Sequence, residues 1–176
     1  MPARPPVDLL LALPRPKVLQ RLWAQVAALG VGRVMLCNAA RVERNYFDTH
    51  VLSEAVYRPL LLEGLQQARD THVPVVSVHR QFRVLVEDAL EDMSPGSRRI
   101  VADPSGAIPL GRAAVEATGR VLLAVGPEGG WNRFELDLLA RHGFVCGGLG
   151  GRTLRSDTAC IAMLAVVHEA LRGRRQ

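Results

Sequence analysis

Two neighbouring stretches decide how this chain is read: "LLAVGPEGGWNRFEL", Leu122–Leu136, and "GGLGGRTLRSDTA", Gly147–Ala159. Each runs from a strand-like apolar segment through glycines into a helical pattern. In the first, the strand ends at Val125 and the chain turns through Gly126, Pro127, Glu128, Gly129 and Gly130 before a helix that opens near Asn132. Glycines admit positive φ and let a ligand come close to the main chain, and the free N–H groups of the helix start face the same corner. The second stretch carries Arg152 and Arg155 ahead of a helix capped by Ser156 or Asp157. Arginines beside an apolar core cost free energy unless they meet an anion or an acceptor. Arg155 therefore faces a ligand or, alternatively, pairs with Glu128 or Asp157 and pins the loop. Either corner alone also reads as plain turn structure. The spacing is not GxGxxG and the Lys-Ser/Thr of a triphosphate loop is missing, so standard dinucleotide or triphosphate binding is not supported.

Outward from these corners, strand-like runs recur at Val7–Leu13, Arg33–Cys37, Pro74–Val78, Arg98–Ala102, Val121–Val125 and Phe144–Leu149. Most are continuous apolar runs, as in strands covered on both faces. Helical patterns lie between them. One opens at Pro16 and closes at Gly30, positions suited to a first helical residue and a C-cap. A second spans Val51–Asp70, with Pro59 expected to kink it or divide it in two. A third starts at Asn132, with Glu135 placed as in a capping box, and ends at Gly143. The last follows Ser156 and is apolar on nearly every side over its first turns. Alternating strands and helices predict an α/β fold with a mostly parallel sheet and flanking helices. Glu91–Arg99 and Asp103–Gly111 read as turn-rich surface connections, too short to separate domains. The 176 residues are read as one domain.

Composition narrows the function classes. A hydrophobic fraction of 48% argues against disorder, and no apolar window is long enough for a membrane span. The run Val7–Leu13 contains Asp8 and is flanked by prolines, so it reads as a buried first strand and not as a signal peptide. Cys37, Cys146 and Cys160 are widely spaced with no CxxC pair, which predicts reduced core thiols and a cytoplasmic location. No cluster of His, Cys or carboxylates has metal-ligand spacing, so no metal is expected. The histidines show no partner pattern and read as structural or surface residues. A net charge of +5 permits an anionic partner such as RNA. The basic end "RGRRQ" reads as a solvated tail that also has the means to touch phosphates. Aromatics at 5% are too few for a base-stacking platform.

The segment Leu122–Val167 resembles the C-terminal signature of the bacterial uracil-N3 methyltransferases of small-subunit ribosomal RNA, members of the SPOUT class. Family members read as an apolar strand, GPEGG, a helix, a strand ending in SLG or LLG, and RxLRxETA. Here these are Gly126–Gly130, Leu149-Gly150 and Arg152–Ala159, with Asp157 in place of the usual Glu. The likeness reaches back more weakly to Leu11–Phe47, where Gln25 and Ala28 replace the usual lysine and glutamate, and to Gln66–Asp70, where only Gln67 of an EQxGR segment stays in place. The RNA-binding barrel that usually precedes this domain has no counterpart here, being absent, trimmed or carried by another protein.

The resemblance implies a C-terminal trefoil knot, with the cofactor region at about 121–172, and S-adenosyl-L-methionine held in a bent shape by the knot loops. Nothing in composition or periodicity shows a knot. Cofactor contacts are expected from Leu123, Val125, Gly126, Pro127, Glu128, Gly129, Gly130, Leu149, Gly150, Leu154, Arg155 and Thr158, with Leu122 as a further apolar wall. Methyl transfer from a sulfonium needs donor and acceptor held in line and help for the acceptor nitrogen to lose its proton. Arg155 is the expected catalytic cation near the uracil carbonyls, and Glu128 is the second catalytic candidate, orienting the base or accepting a proton. The expected partners are ribosomal RNA or the small ribosomal subunit and a second copy of the chain. The homodimer follows from Ala159, Ile161, Ala162, Met163, Ala165, Val166 and Val167 crowding one helix. Three rival readings stay open: the same fold acting on another ribosomal or transfer RNA, a non-catalytic knotted RNA-binding or assembly protein, and a plain α/β domain with no ligand.

Overall fold

The computed structural model describes residues 4–173. The end of the basic tail, residues 174–176, lies outside the described residues. Seven strands form one sheet in the order β3-β2-β1-β6-β4-β7-β5, every neighbouring pair parallel. The strands are β1 Val7–Ala12, β2 Val31–Cys37, β3 Val75–His79, β4 Arg98–Ala102, β5 Ile108–Pro109, β6 Val121–Val125 and β7 Val145–Gly148. β1 and β6 pair at the centre, Leu11 opposite Val125, and every residue of both is buried. That complete burial is what their unbroken apolar runs encode. The chain builds β1, β2 and β3 outward in one direction and places the remaining strands on the other side of β1. Ligands of open parallel sheets bind outside the carboxyl ends of the strands, where the order changes direction.

Helix α1, Pro16–Ala28, begins with its proline in the first turn, and Gly30 follows its end at φ +79°. Helix α2, Glu54–Ala68, runs unbroken, and Pro59 does not divide it. Pro59 and Ala55, whose carbonyl loses its helical partner, are both exposed, so that carbonyl is open to solvent. The stretch before Glu54 is a short 3-10 turn, His50–Leu52. α1 and α2 pack directly on each other, and a Cβ on Gly64 would stand 2.0 Å from the Ala24 carbonyl oxygen. No larger residue fits at that crossing.

Ser94–Ser97 is a turn, as expected of the connection Glu91–Arg99, but a helical stretch that sequence did not suggest precedes it, and the second connection holds regular structure. The helical stretch comprises α3 Phe82–Val84, a π-turn segment Leu85–Ala89 and α4 Leu90–Met93. The second segment contains β5 and the start of α5, Leu110–Val115. Helix α6, Arg133–Arg141, has the expected capping box: Asn132 Oδ1 accepts the Glu135 N–H, and Glu135 Oε2 accepts the Asn132 N–H, each at 2.8 Å. Helix α7, Ser156–Arg172, is capped by neither candidate side chain. Arg155 occupies the cap position, and Asp157 turns its carboxylate to the Thr158 N–H at 2.9 Å. All three cysteines are free; Cys37 and Cys160 are buried, and Cys146 is half-buried. Burial pushes the Cys160 thiol up to about 12 and raises Cys37 as well. No helix among the described residues is long and apolar enough to cross a membrane.

Candidate functional site

Because every strand points the same way, the loops after β1, β2, β4, β6 and β7 gather along one edge of the sheet. The two glycine corners meet there and enclose a cavity of about 250 Å³. Its floor is Val125–Trp131, and the opposite wall is Leu149, Gly150 and Arg152–Leu154. Ala102–Pro104, after β4, close one end, and Ser156, Ala159 and Met163 of α7 close another. The spacing 156, 159, 163 is one face of a helix.

Of the residues singled out from sequence, Val125, Gly126, Pro127, Glu128, Gly129, Gly130, Leu149, Gly150 and Leu154 line this cavity. Leu123 and Leu122 do not; both are fully buried within β6, below its carboxyl end. Thr158 is exposed, on a side of α7 turned away from Ser156 and Ala159. Arg155 is exposed and lines a neighbouring cleft instead.

The glycines of the first corner have separate reasons. A Cβ on Gly126 would meet the Trp131 ring, 2.9 Å from Nε1, and one on Gly129 would stand 2.8 Å from Arg41 Cδ. Gly130 takes φ +75°. At the second corner Gly150 takes φ +102° with open space beside it. The Arg41 guanidinium donates to the carbonyls of Gly129 and Gly130, clamping the corner from the loop after β2. From the same loop the Ala40 N–H donates to the second oxygen of Glu135 at 2.6 Å. Glu135 is 3% exposed and so ties the loop after β2 to the start of α6.

Arg15, at the cap of helix α1, and Arg21, within it, supply two further ties. The Arg15 guanidinium forms an ion pair with Glu128 at 3.2 Å, and the Arg21 Nη2 donates to Asp157 at 2.8 Å. The hydrogen bond from Arg21, helped by the Thr158 N–H, holds the Asp157 carboxyl below the usual carboxylate range. Among the described residues both carboxylates that sequence offered to Arg155 are thus held by Arg15 and Arg21, and Arg155 makes no ion pair. Two buried polar atoms on the cavity wall, Trp131 Nε1 and Ser156 Oγ, have no protein partner. Buried polar groups are normally paired, so an unpaired one calls for a reason. Phe82, beside the π-turn, packs on Trp131 with ring centroids 5.4 Å apart. Among the described residues no three His, Cys, Asp or Glu side chains converge as metal ligands would.

Sequence reasoning missed Asp103, Trp131, Ser156, Ala159 and Met163 in the cavity, and Arg15, Arg21 and Arg41 around it. The period of α7 carried a signal for Ser156, Ala159 and Met163 together. The arginines come from elements remote in sequence, and no local pattern marks their partners.

A family model described as an RNA methyltransferase domain matches residues 2–168. A ribosomal RNA small subunit methyltransferase E of Treponema pallidum is 32% identical over 165 residues, covering 92% of this chain and 61% of that protein. The protein of the same name from Mycobacterium bovis is 28% identical over 167 residues, 94% of this chain and 64% of its own length. The chain thus spans less than two thirds of these relatives. The crystal structure of ribosomal RNA small subunit methyltransferase E from Neisseria gonorrhoeae bound to S-adenosyl methionine superposes with a TM-score of 0.77 at 22% identity, covering 93% of this chain and 65% of that one. The SpoU methyltransferase AviRb from Streptomyces viridochromogenes has a TM-score of 0.59 at 16% identity, over 99% and 63% of the two chains. These likenesses establish the fold.

Proposed function

The chain belongs to the RNA methyltransferase domain family, and from that membership we propose that it is an S-adenosyl-L-methionine-dependent methyltransferase acting on N3 of a uridine in small-subunit ribosomal RNA. The observation that carries the reading is the cavity at the carboxyl edge, where both corners meet around two unpartnered buried polar atoms. Its residues fit the cofactor. Val125, Leu149, Leu154 and Met163 offer apolar walls, the open backbone at Gly150 allows close approach, and Trp131 Nε1 and Ser156 Oγ offer hydrogen bonds. The named relatives, ribosomal RNA methyltransferases by name, support the substrate class.

When bound, the cofactor supplies a methyl group activated on a sulfonium sulfur. The chain's own part is positioning and charge. The two corners would hold the donor, and the acceptor nitrogen must meet it in line. Arg155, with no carboxylate of its own, is free to place its planar guanidinium against a uracil carbonyl and favour loss of the N3 proton. Glu128, at the rim and held by Arg15, orients the base or takes that proton.

The rest of the reading follows the family. The chain is a single domain with its cofactor loops inside 121–172, in a knotted arrangement that the crossing of residues 103–107 over β7 supports. There a Cβ on Gly106 would lie 2.5 Å from the Gly148 nitrogen. It works in the cytoplasm as a homodimer, through the partly exposed face of α7.

Calorimetry with S-adenosyl-L-methionine in the presence of a chelator tests the core of this. Saturable binding is expected, together with transfer of labelled methyl to small-subunit ribosomal RNA and mapping of the product to uridine N3. No heat up to millimolar cofactor overturns the reading.

A further inference from the structure

A second cleft, of about 440 Å³, lies against the first. Glu128, Thr153, Leu154 and Ser156 belong to the walls of both, so whatever fills the second cleft touches the cavity's own lining. Its far wall is α1, through Arg15, Val18 and Arg21, and its near wall adds Arg155 and Asp157. Three guanidinium groups thus face two carboxylates, an excess of one positive charge. No aromatic side chain lines the cleft, so it has no platform on which a base would stack. We propose that this cleft holds the phosphodiester backbone of single-stranded RNA beside the acceptor nucleotide, with Arg15 and Arg21 exchanging their carboxylates for phosphate oxygens.

The inference rests on the methyltransferase reading and adds to it where the RNA runs and which residues grip it. The exchange is easy on both sides. The Arg15 and Arg21 side chains are 65% and 59% exposed, and exposed ion pairs contribute little. Guanidinium meets phosphate through two parallel hydrogen bonds, a stronger match than the single contact each arginine now makes. Asp157 is not abandoned when Arg21 leaves, because its other oxygen keeps the Thr158 N–H at 2.9 Å. Glu128, released from Arg15, becomes available at the rim on the same event. RNA entry and the freeing of a candidate base are thereby one motion.

The test compares the parental protein with Arg15→Gln, Arg21→Gln, Arg21→Lys and Arg58→Gln. Arg58 sits on α2, paired with Glu54, away from both cavities, and its substitution removes the same charge elsewhere. Binding of a short oligouridylate is measured with S-adenosylhomocysteine saturating, across a salt series, and binding of S-adenosyl-L-methionine is measured separately. Arg15→Gln and Arg21→Gln should each weaken the oligonucleotide about tenfold and lower the salt slope by about 0.7. Arg58→Gln should change neither, and Arg21→Lys should keep the slope while losing affinity. Cofactor affinity and melting temperature should stay at parental values throughout. Unchanged RNA binding in both glutamine variants overturns the proposal, as does an equal loss in Arg58→Gln or a parallel loss of cofactor binding. Inorganic phosphate that competes as well as the oligonucleotide also overturns it, since the cleft is then a simple anion site. A parental protein that binds cofactor but no RNA refutes this cleft alone; one that binds no cofactor refutes the methyltransferase reading beneath it.

Discussion

Arg155 stands at the cap of α7 with its side chain exposed and both nearby carboxylates already taken by Arg15 and Arg21. A pin between Arg155 and the loop therefore has no partner, and a charge kept for an incoming acceptor suits the position better. Arg155→Lys keeps the charge and loses the planar fork. The expected result is a fall of about two decades in single-turnover methylation at saturating cofactor, with cofactor affinity and thermal melt unchanged because Arg155 lies outside the cofactor cavity. Methylation at the parental rate removes Arg155 from the chemistry.

Glu135 shows how much one residue of an element can carry. Its two oxygens accept the N–H groups of Asn132 and Ala40, closing the capping box of α6 and joining that helix to the loop after β2. Arg41 of the same loop clamps the corner at Gly129 and Gly130. Asn132→Ala removes only the cap and should lower unfolding free energy by about 1 kcal/mol. Glu135→Ala takes the acceptor from two backbone N–H groups at once, those of Asn132 and Ala40, and should cost about 2 kcal/mol. It should also weaken cofactor binding, since the corner loses the loop that braces it. Urea denaturation and calorimetry on the two variants check this, and equal effects from both contradict it. The capping box was legible in the spacing of Asn132 and Glu135, because caps are local. The bond to Ala40 was not, because it joins residues far apart along the chain.

At the scale of the molecule, α7 buries Leu164, Val167 and Leu171 in the core, leaving Ile161, Ala162, Met163 and Val166 partly exposed and Ala165 exposed. Ile108 and Val115, on β5 and α5, are exposed as well, and α5 packs on α7. An apolar surface of this kind suits a second copy of the chain. Light scattering should return a dimer at micromolar concentration, and Ala165→Glu should shift it to monomer while leaving the fold intact. A monomeric parental protein contradicts the dimer.

The apolar runs of β1 and β6, the proline and glycine that bound α1, and the glycine corners after β6 and β7 were all determined by sequence alone. Each is a local preference: burial on both faces, a fixed φ, a positive φ, a satisfied helix end. Short elements such as β5, α5 and the π-turn escaped because so few residues carry no period of their own. The tertiary structure alone decided that Arg41 clamps the first corner, that Arg15 and Arg21 reach Glu128 and Asp157, that Trp131 lies against Gly126, and that Leu123 and Thr158 stay out of the cavity. Those outcomes depend on which strand lies beside which, and a parallel sheet brings loops to one edge irrespective of their distance along the chain.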